Sequence, residues 1–230
     1  MQIFFWSQTE KIKPAFDVVP PAPSSHFTSI ASFGDKEFLF RILALRLQNS
    51  GDVFAGFVSL KEYDYSRIYQ WMKALDSLDI KSNFVPALAS YYYSQTQNHS
   101  DNIYIINYLD EHVEQTKGAD KKWWWLVQAI QIAKHELHDN NRALQLAYKM
   151  SKYASDDAPI WFKQMPAFIL EDMNEGCMAF AVIEKMLQES NDNKKKFNAE
   201  EVAFMRHYIK ERLAKLERNK FNPKSCKNHK

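Results

Sequence analysis

From Asp35 onward, apolar residues recur every three or four positions, the spacing that gathers them on one face of a helix. After Asp35, an acceptor suited to capping a helix start, Phe38, Leu39, Ile42 and Leu45 keep this rhythm until Ser50-Gly51-Asp52 stops it near Asn49. Residues 52–62 predict a loop. A second helix opens at Asp64 and carries Ile68, Trp71, Met72, Leu75 and Leu78. A third opens at Asn83, tolerates Pro86 in its first turn, and runs through Leu88, Tyr91, Tyr92 and Gln95. Asp101 begins a fourth, with Ile105, Tyr108, Leu109 and Val113. Five more follow: over 120–138, over 141–153, from Pro159, from Gly176 with Ala179, Val182, Ile183, Met186 and Leu187, and over 199–219. In the last of these, Val202, Phe204, Met205, Ile209, Leu213 and Leu216 are the apolar positions.

Residues 7–33 read as a linker. Pro14, Pro20, Pro21 and Pro23 fix φ and remove hydrogen-bond donors. An arm extended across the first helices and a free arm both fit this pattern. The five glycines all fall at or near breaks between apolar-periodic segments. With so few, a turn-rich barrel or sandwich is excluded in favour of an all-α fold.

The helices pair, and the pairs recur. First members begin near Asn83, Asp120 and Ala158; second members begin near Asp64, Asp101, Asn141 and Gly176. A period in the middle thirties with two helices per unit predicts a solenoid of stacked antiparallel helix pairs, in which neighbours jointly bury faces that no pair can bury alone. The domain reading is an arm over 1–33, a helical-repeat domain over 34–190, and a basic C-terminal capping helix with its tail over 191–230.

Across roughly residues 60–190 the chain resembles the tetratricopeptide (TPR) family. Leu137-His138-Asp139…Ala143 and Met173-Asn174-Glu175…Ala179 look like the family's Leu-Gly-Asp turn followed by a small residue in the second helix. His138 and Asn174 stand where the family prefers Gly. Tyr63-Asp64-Tyr65…Leu78-Asp79 is similar to the family's second helix with its closing turn, and carries a looser likeness to bacterial TPR proteins that lie beside the inner membrane. The resemblance implies a TPR-like solenoid that acts as a protein–protein interaction scaffold.

Charge modifies this picture at one end. Formal net charge is +2, but residues 191–230 hold twelve Lys/Arg against five Asp/Glu. Such a segment is either a solvated basic helix or a contact for anionic lipid or nucleic acid, of which nucleic acid is the less expected. The two cysteines, Cys177 and Cys226, form no CxxC motif. Met1-Gln2-Ile3-Phe4-Phe5-Trp6 is apolar but too short for a membrane span or a signal-peptide core. A remnant of a truncated anchor stays open, and a cytoplasmic or inner-membrane-associated location is the expectation.

The chemistry-bearing candidates are few. His135-Glu136-x-His138 has its histidines at i and i+3, not the i and i+4 spacing that lets two imidazoles face one ion. Asp76/Asp79 and Asp156/Asp157 read as solvated turns or caps rather than as buried acid–base pairs. No GxSxG, P-loop or GxGxxG occurs, so neither an enzyme nor a bound metal or cofactor is expected. Pro166, inside the seventh helix, should kink it or mark its start.

The helix over 120–138 carries the best binding candidate. Leu126, Ala129, Ile130, Ala133 and Leu137 form its apolar stripe, and Trp124, Gln128, Gln131 and His135 the opposite one. Thirty-seven residues on stand Trp161, Met165, Phe168 and Asp172. Trp124, Gln128, Gln131, His135, Trp161 and Met165 are therefore the expected partner-binding residues, lining a groove for a peptide or a partner helix. A membrane-proximal or secretion-associated accessory role for the basic C-terminal helix is the alternative.

Overall fold

The computed structural model describes residues 18–53, 56–153, 158–191 and 198–218. Among these lie ten α-helices: α1 (Ser25–Ala31), α2 (Lys36–Gln48), α3 (Tyr65–Asp79), α4 (Phe84–Tyr91), α5 (Asn102–Thr116), α6 (Trp124–His135), α7 (Asn140–Tyr153), α8 (Trp161–Asp172), α9 (Gly176–Asn191) and α10 (Ala199–Arg218). The only strands among the described residues are β1 (Asp52–Val53) and β2 (Gly56–Phe57), a two-residue antiparallel pairing. No described helix is long and apolar enough to cross a membrane. The expected helical class is observed. The chain forms two compact units, Met1–Val85 and Pro86–Lys230.

In the first unit α2 packs on α3, and α1 touches both. Leu39, Phe40, Leu43, Ala44 and Leu47 of α2 are buried, as are Ile68, Trp71, Met72 and Leu75 of α3. Residues 19 and 20 of the proline-containing arm are held on α3. The Val19 carbonyl accepts from Arg67 Nη1 at 3.0 Å, and the Pro20 carbonyl from Trp71 Nε1 at 2.7 Å. The stretch read as linker also contains α1. Ser24 Oγ accepts the Phe27 N–H at 3.2 Å, a cap that starts the helix where Pro23 ends. Phe27 and Ile30 of α1 face solvent, so no inward apolar stripe announced it. Asp76 is not a solvated turn residue; it is buried inside α3. Asp79 does end that helix, its Oδ1 accepting the Lys81 N–H at 3.0 Å. Asp156 and Asp157 lie outside the described residues.

In the second unit consecutive helices pack on one another, α5 on α6, α6 on α7, α7 on α8, α8 on α9 and α9 on α10. The seams are rich in small residues. Ala129, Ala133, Ala143, Ala147, Ala167 and Ala179 are all buried, which lets helix axes approach closely. Helices one pair apart also touch. Asp110 of α5 bonds Arg142 at 3.0 Å and Lys149 at 2.6 Å on α7, and Glu114 bonds Lys149 at 2.7 Å. Lys134 of α6 pairs with Asp172 of α8, and Tyr208 of α10 donates to Glu171 of α8 at 2.6 Å. These links span 32 to 39 residues, about one repeat.

The turns α6–α7 and α8–α9 share a left-handed residue and the bond that starts the following helix, but close with different backbone bonds. His138 (φ 53°) and Asn174 (φ 62°) both adopt the left-handed conformation. In the first turn the Leu137 N–H, just before His138, donates to the Ile132 carbonyl; in the second the Glu175 N–H, just after Asn174, donates to the Leu170 carbonyl. After them Ala143 and Ala179 donate to the Asp139 and Glu175 carbonyls, and both alanines are buried. The helix expected over 120–138 is shorter at both ends. Asp120 and Lys121 have positive φ, so the α-helix starts only at Trp124, and the left-handed turn at His138 stops it before Leu137, which is half-buried. The helix after Pro159 begins at Trp161 and passes through Pro166.

The cap by α10 uses three of the residues that periodicity indicated, Val202, Met205 and Ile209, and adds Tyr208. Met205 and Tyr208 are buried against Leu170, Ala179, Ile183 and Met186, whereas Phe204 is exposed. The side chains of Leu213 and Leu216 and the tail over 219–230 lie outside the described residues.

Two expectations follow. A left-handed non-glycine residue costs about 1 kcal/mol. His138→Gly should raise stability by up to about 1 kcal/mol in denaturant unfolding, offset in part by added chain freedom, and Asn174→Gly by less because Asn tolerates this conformation. Asp139→Gly should instead lower it, since Asp139 Oδ1 accepts the Arg142 N–H at 2.9 Å as a cap. The second concerns Lys149. Burial pushes its ammonium down, but hydrogen bonds and charge from Asp110 and Glu114 outweigh burial and hold its pKa above the ordinary value. A raised folded-state pKa stabilises fully below the unfolded value, about 10.4, and the contribution is lost as pH rises through the folded value. Stability measured from pH 8 to about 11.5 should therefore fall more for the wild type than for Lys149→Met at the alkaline end.

Candidate functional site

Three consecutive tryptophans open α6. Successive helical residues differ by 100°, so they cannot share a face. Trp123 and Trp125 are buried, and the middle one, Trp124, is 39% exposed. Phe162 of α8 is the hub. Its ring lies 4.3 Å from Trp123 and 6.2 Å from Trp124, both edge-on, and Trp161 stacks on it at 3.7 Å. Trp124 and Trp161 thus meet at one buried phenyl ring, and the Trp123–Phe162 and Trp124–Phe162 contacts tie the starts of α6 and α8 together, as the Lys134–Asp172 pair ties their ends.

Along α6, Trp124, Gln131 and His135 are exposed and Gln128 is half-buried, while Leu126, Ala129, Ile130 and Ala133 are buried. The same pattern returns 37 residues later. Trp161, Met165 and Phe168 are half-buried and Asp172 is exposed. Six of the intervening pairs, Trp125/Phe162, Val127/Gln164, Ala129/Pro166, Ile130/Ala167, Ile132/Ile169 and Ala133/Leu170, are buried in both helices, whereas buried Leu126 corresponds to half-buried Lys163 and Lys134 and Glu171 are both half-buried. The six expected residues therefore occupy corresponding outward positions of two successive first-member helices.

This arrangement presents flat apolar rings at one end and amide donors and acceptors along its length, groups that can meet an extended or helical backbone. The His135-Glu136-x-His138 segment lies at its far end. Glu136 Oε2 lies 2.9 Å from His99 Nδ1, and His138 forms the left-handed turn. Among the described residues no three His, Cys, Asp or Glu side chains group as metal ligands.

Sequence reading did not find Phe162, whose one-residue offset from Trp161 hid it as an ordinary core position. It also did not find an open groove of about 480 Å³ on α7, α8 and α9, lined among others by Tyr148, Pro166, Met178, Val182 and Met186. Burial pushes the Tyr148 phenol up there. Tyr148 and Met178 lie on helix faces where each is the one large exposed apolar or aromatic side chain, which leaves no stripe to read.

No family model matches the chain, and no curated protein or solved structure matches it.

The burial pattern predicts opposite outcomes on the two sides of α6. Trp124→Ala should leave the thermal midpoint within a few degrees of wild type, whereas Ile130→Ala, which empties a fully enclosed site, should cost about 2–4 kcal/mol. Thermal and urea unfolding of the two variants decides this. A Trp124→Ala chain as unstable as Ile130→Ala would mean that Trp124 belongs to the core.

Proposed function

We propose that this chain is a non-enzymatic interaction scaffold, a TPR-like solenoid whose stripe Trp124, Gln128, Gln131 and His135, continued by Trp161 and Met165, holds a peptide or a partner helix. The observation that carries the reading is Trp124, a large aromatic left in contact with water although a buried ring cluster lies directly behind it. A rigid, half-exposed aromatic over a packed base has the properties of a binding anchor. The turns at His138 and Asn174, left-handed where the TPR family prefers Gly, support the repeat reading.

The basic segment over 191–230 supports a second reading, a membrane-proximal or secretion-associated accessory protein that meets anionic lipid, or less favourably nucleic acid, through its C-terminal helix. Phosphate-driven contacts weaken steeply with salt, and groove binding by an apolar anchor does not.

The experiment is affinity capture with wild type and Trp124→Ala in parallel, followed by titration of the recovered partner at two salt concentrations. Loss of an anchor of this kind is worth about 2 kcal/mol or more, so Trp124→Ala should weaken binding at least about tenfold. Equal affinity of both proteins, or binding that vanishes at high salt and ignores Trp124, contradicts the groove.

A further inference from the structure

Cys177 is the second residue of α9, half-buried at the start of the helix, and its sulfur is engaged in a disulfide. The chain has one other cysteine, Cys226. The packing of α10 carries the chain towards the matching end of the stack. Tyr208 of α10 donates to Glu171, which precedes Cys177 on the other side of the α8–α9 turn. Met205 and Tyr208 pack on Ala179, Ile183 and Met186. Helix α10 therefore runs back along α9, from its end towards its start. Residues 209–218 carry the helix about 15 Å past Tyr208. From Arg218 to Cys226 an extended chain spans up to roughly 26–29 Å, enough to return to the start of α9.

We infer that Cys177 and Cys226 form one intramolecular disulfide, a redox-dependent clamp that fastens α10 and the segment after it onto the last helix pair. Its formation is a two-electron oxidation. One thiolate attacks the disulfide of a donor of the glutathione or protein type and displaces one thiol; the second cysteine then attacks the mixed disulfide and displaces the other. Two protons and two electrons leave the chain, and the donor departs as two thiols. The bond closes residues 177–226 into a covalent loop that contains all of α10 and all of α9 except Gly176. Closing a loop of this length restricts the unfolded chain and so stabilises the fold. The bond acts where cover is one-sided, since α10 is the last described helix and α9 is its chain neighbour. It also takes Lys220 and Lys224 into the loop and leaves residues 227–230 outside it, so the two redox states present the basic segment differently. Bonds of this kind persist in oxidising compartments and are reduced in the cytosol.

The test uses the full chain, oxidised with glutathione disulfide, unfolded in iodoacetamide, and measured by mass spectrometry intact and after digestion. The expected result is a chain of monomer mass with one linked peptide pair carrying Cys177 and Cys226 and neither sulfur alkylated. After reduction both should be alkylated. Oxidised wild type should melt on the order of 5 °C above reduced wild type and above Cys226→Ser, and reductant should leave the midpoint of Cys226→Ser unchanged. Alkylation of both cysteines in the oxidised chain overturns the inference. So do glutathione adducts at both as the end state, bonds that join two chains, or a wild-type midpoint that ignores reductant.

Discussion

Ala133, Ala147, Ala167 and Ala179 are buried on helices that each pack against the helices before and after them in the chain. This shared burial is the constraint on which the second unit depends. It explains why the seams use alanine, since a larger residue would hold the axes apart and break the contact on both sides at once. It also fits the way each helix touches its chain neighbours while polar links run between alternate helices. The apolar seams supply the attraction. The Asp110–Arg142–Lys149–Glu114 cluster and the Lys134–Asp172 and Tyr208–Glu171 pairs set the register of one hairpin on the next.

The same constraint creates the candidate surface. A helix that gives two sides to its neighbours has only a narrow strip left for solvent, and in α6 that strip holds Trp124, Gln128, Gln131 and His135. The three-tryptophan run then has a physical reading. Trp123 and Trp125 belong to the seams, and Trp124 remains outside with its edge toward Phe162. Because α8 repeats this pattern of burial at 37 residues, the strip continues to Trp161 and Met165.

Periodicity made the helices legible because every one from α2 to α10 buries a face at helical spacing. It failed where burial and helicity part company. In α1 the large apolar residues point outward, so a capped seven-residue helix looked like linker. In α10 Val202, Met205 and Ile209 cover the core as periodicity indicates, but Tyr208 joins them while Phe204 faces out, and tyrosine does not stand out as a core residue in a charged helix. Asp76 looked solvated because a carboxylate usually is, yet α3 turns it inward. The ends of α6 were misplaced because left-handed conformation at Asp120, Lys121 and His138 has no glycine to advertise it. The stripe on α6 was readable because Trp124, Gln131 and His135 are exposed and Gln128 half-buried, while Leu126, Ala129, Ile130 and Ala133 are buried. Phe162 was not, because its role comes from a neighbour 38 residues away.

Amide hydrogen exchange on the native full chain tests the shared-burial account most directly. Stability that is jointly held should be greatest where a helix is covered on both sides and should decline toward the ends of the stack. The account predicts the slowest exchange in α6, α7 and α8, at amides such as Ile130, Ala133, Ala147 and Leu170, with faster exchange in α10. Exchange that is uniform over 102–218, or slowest in α10, would contradict it.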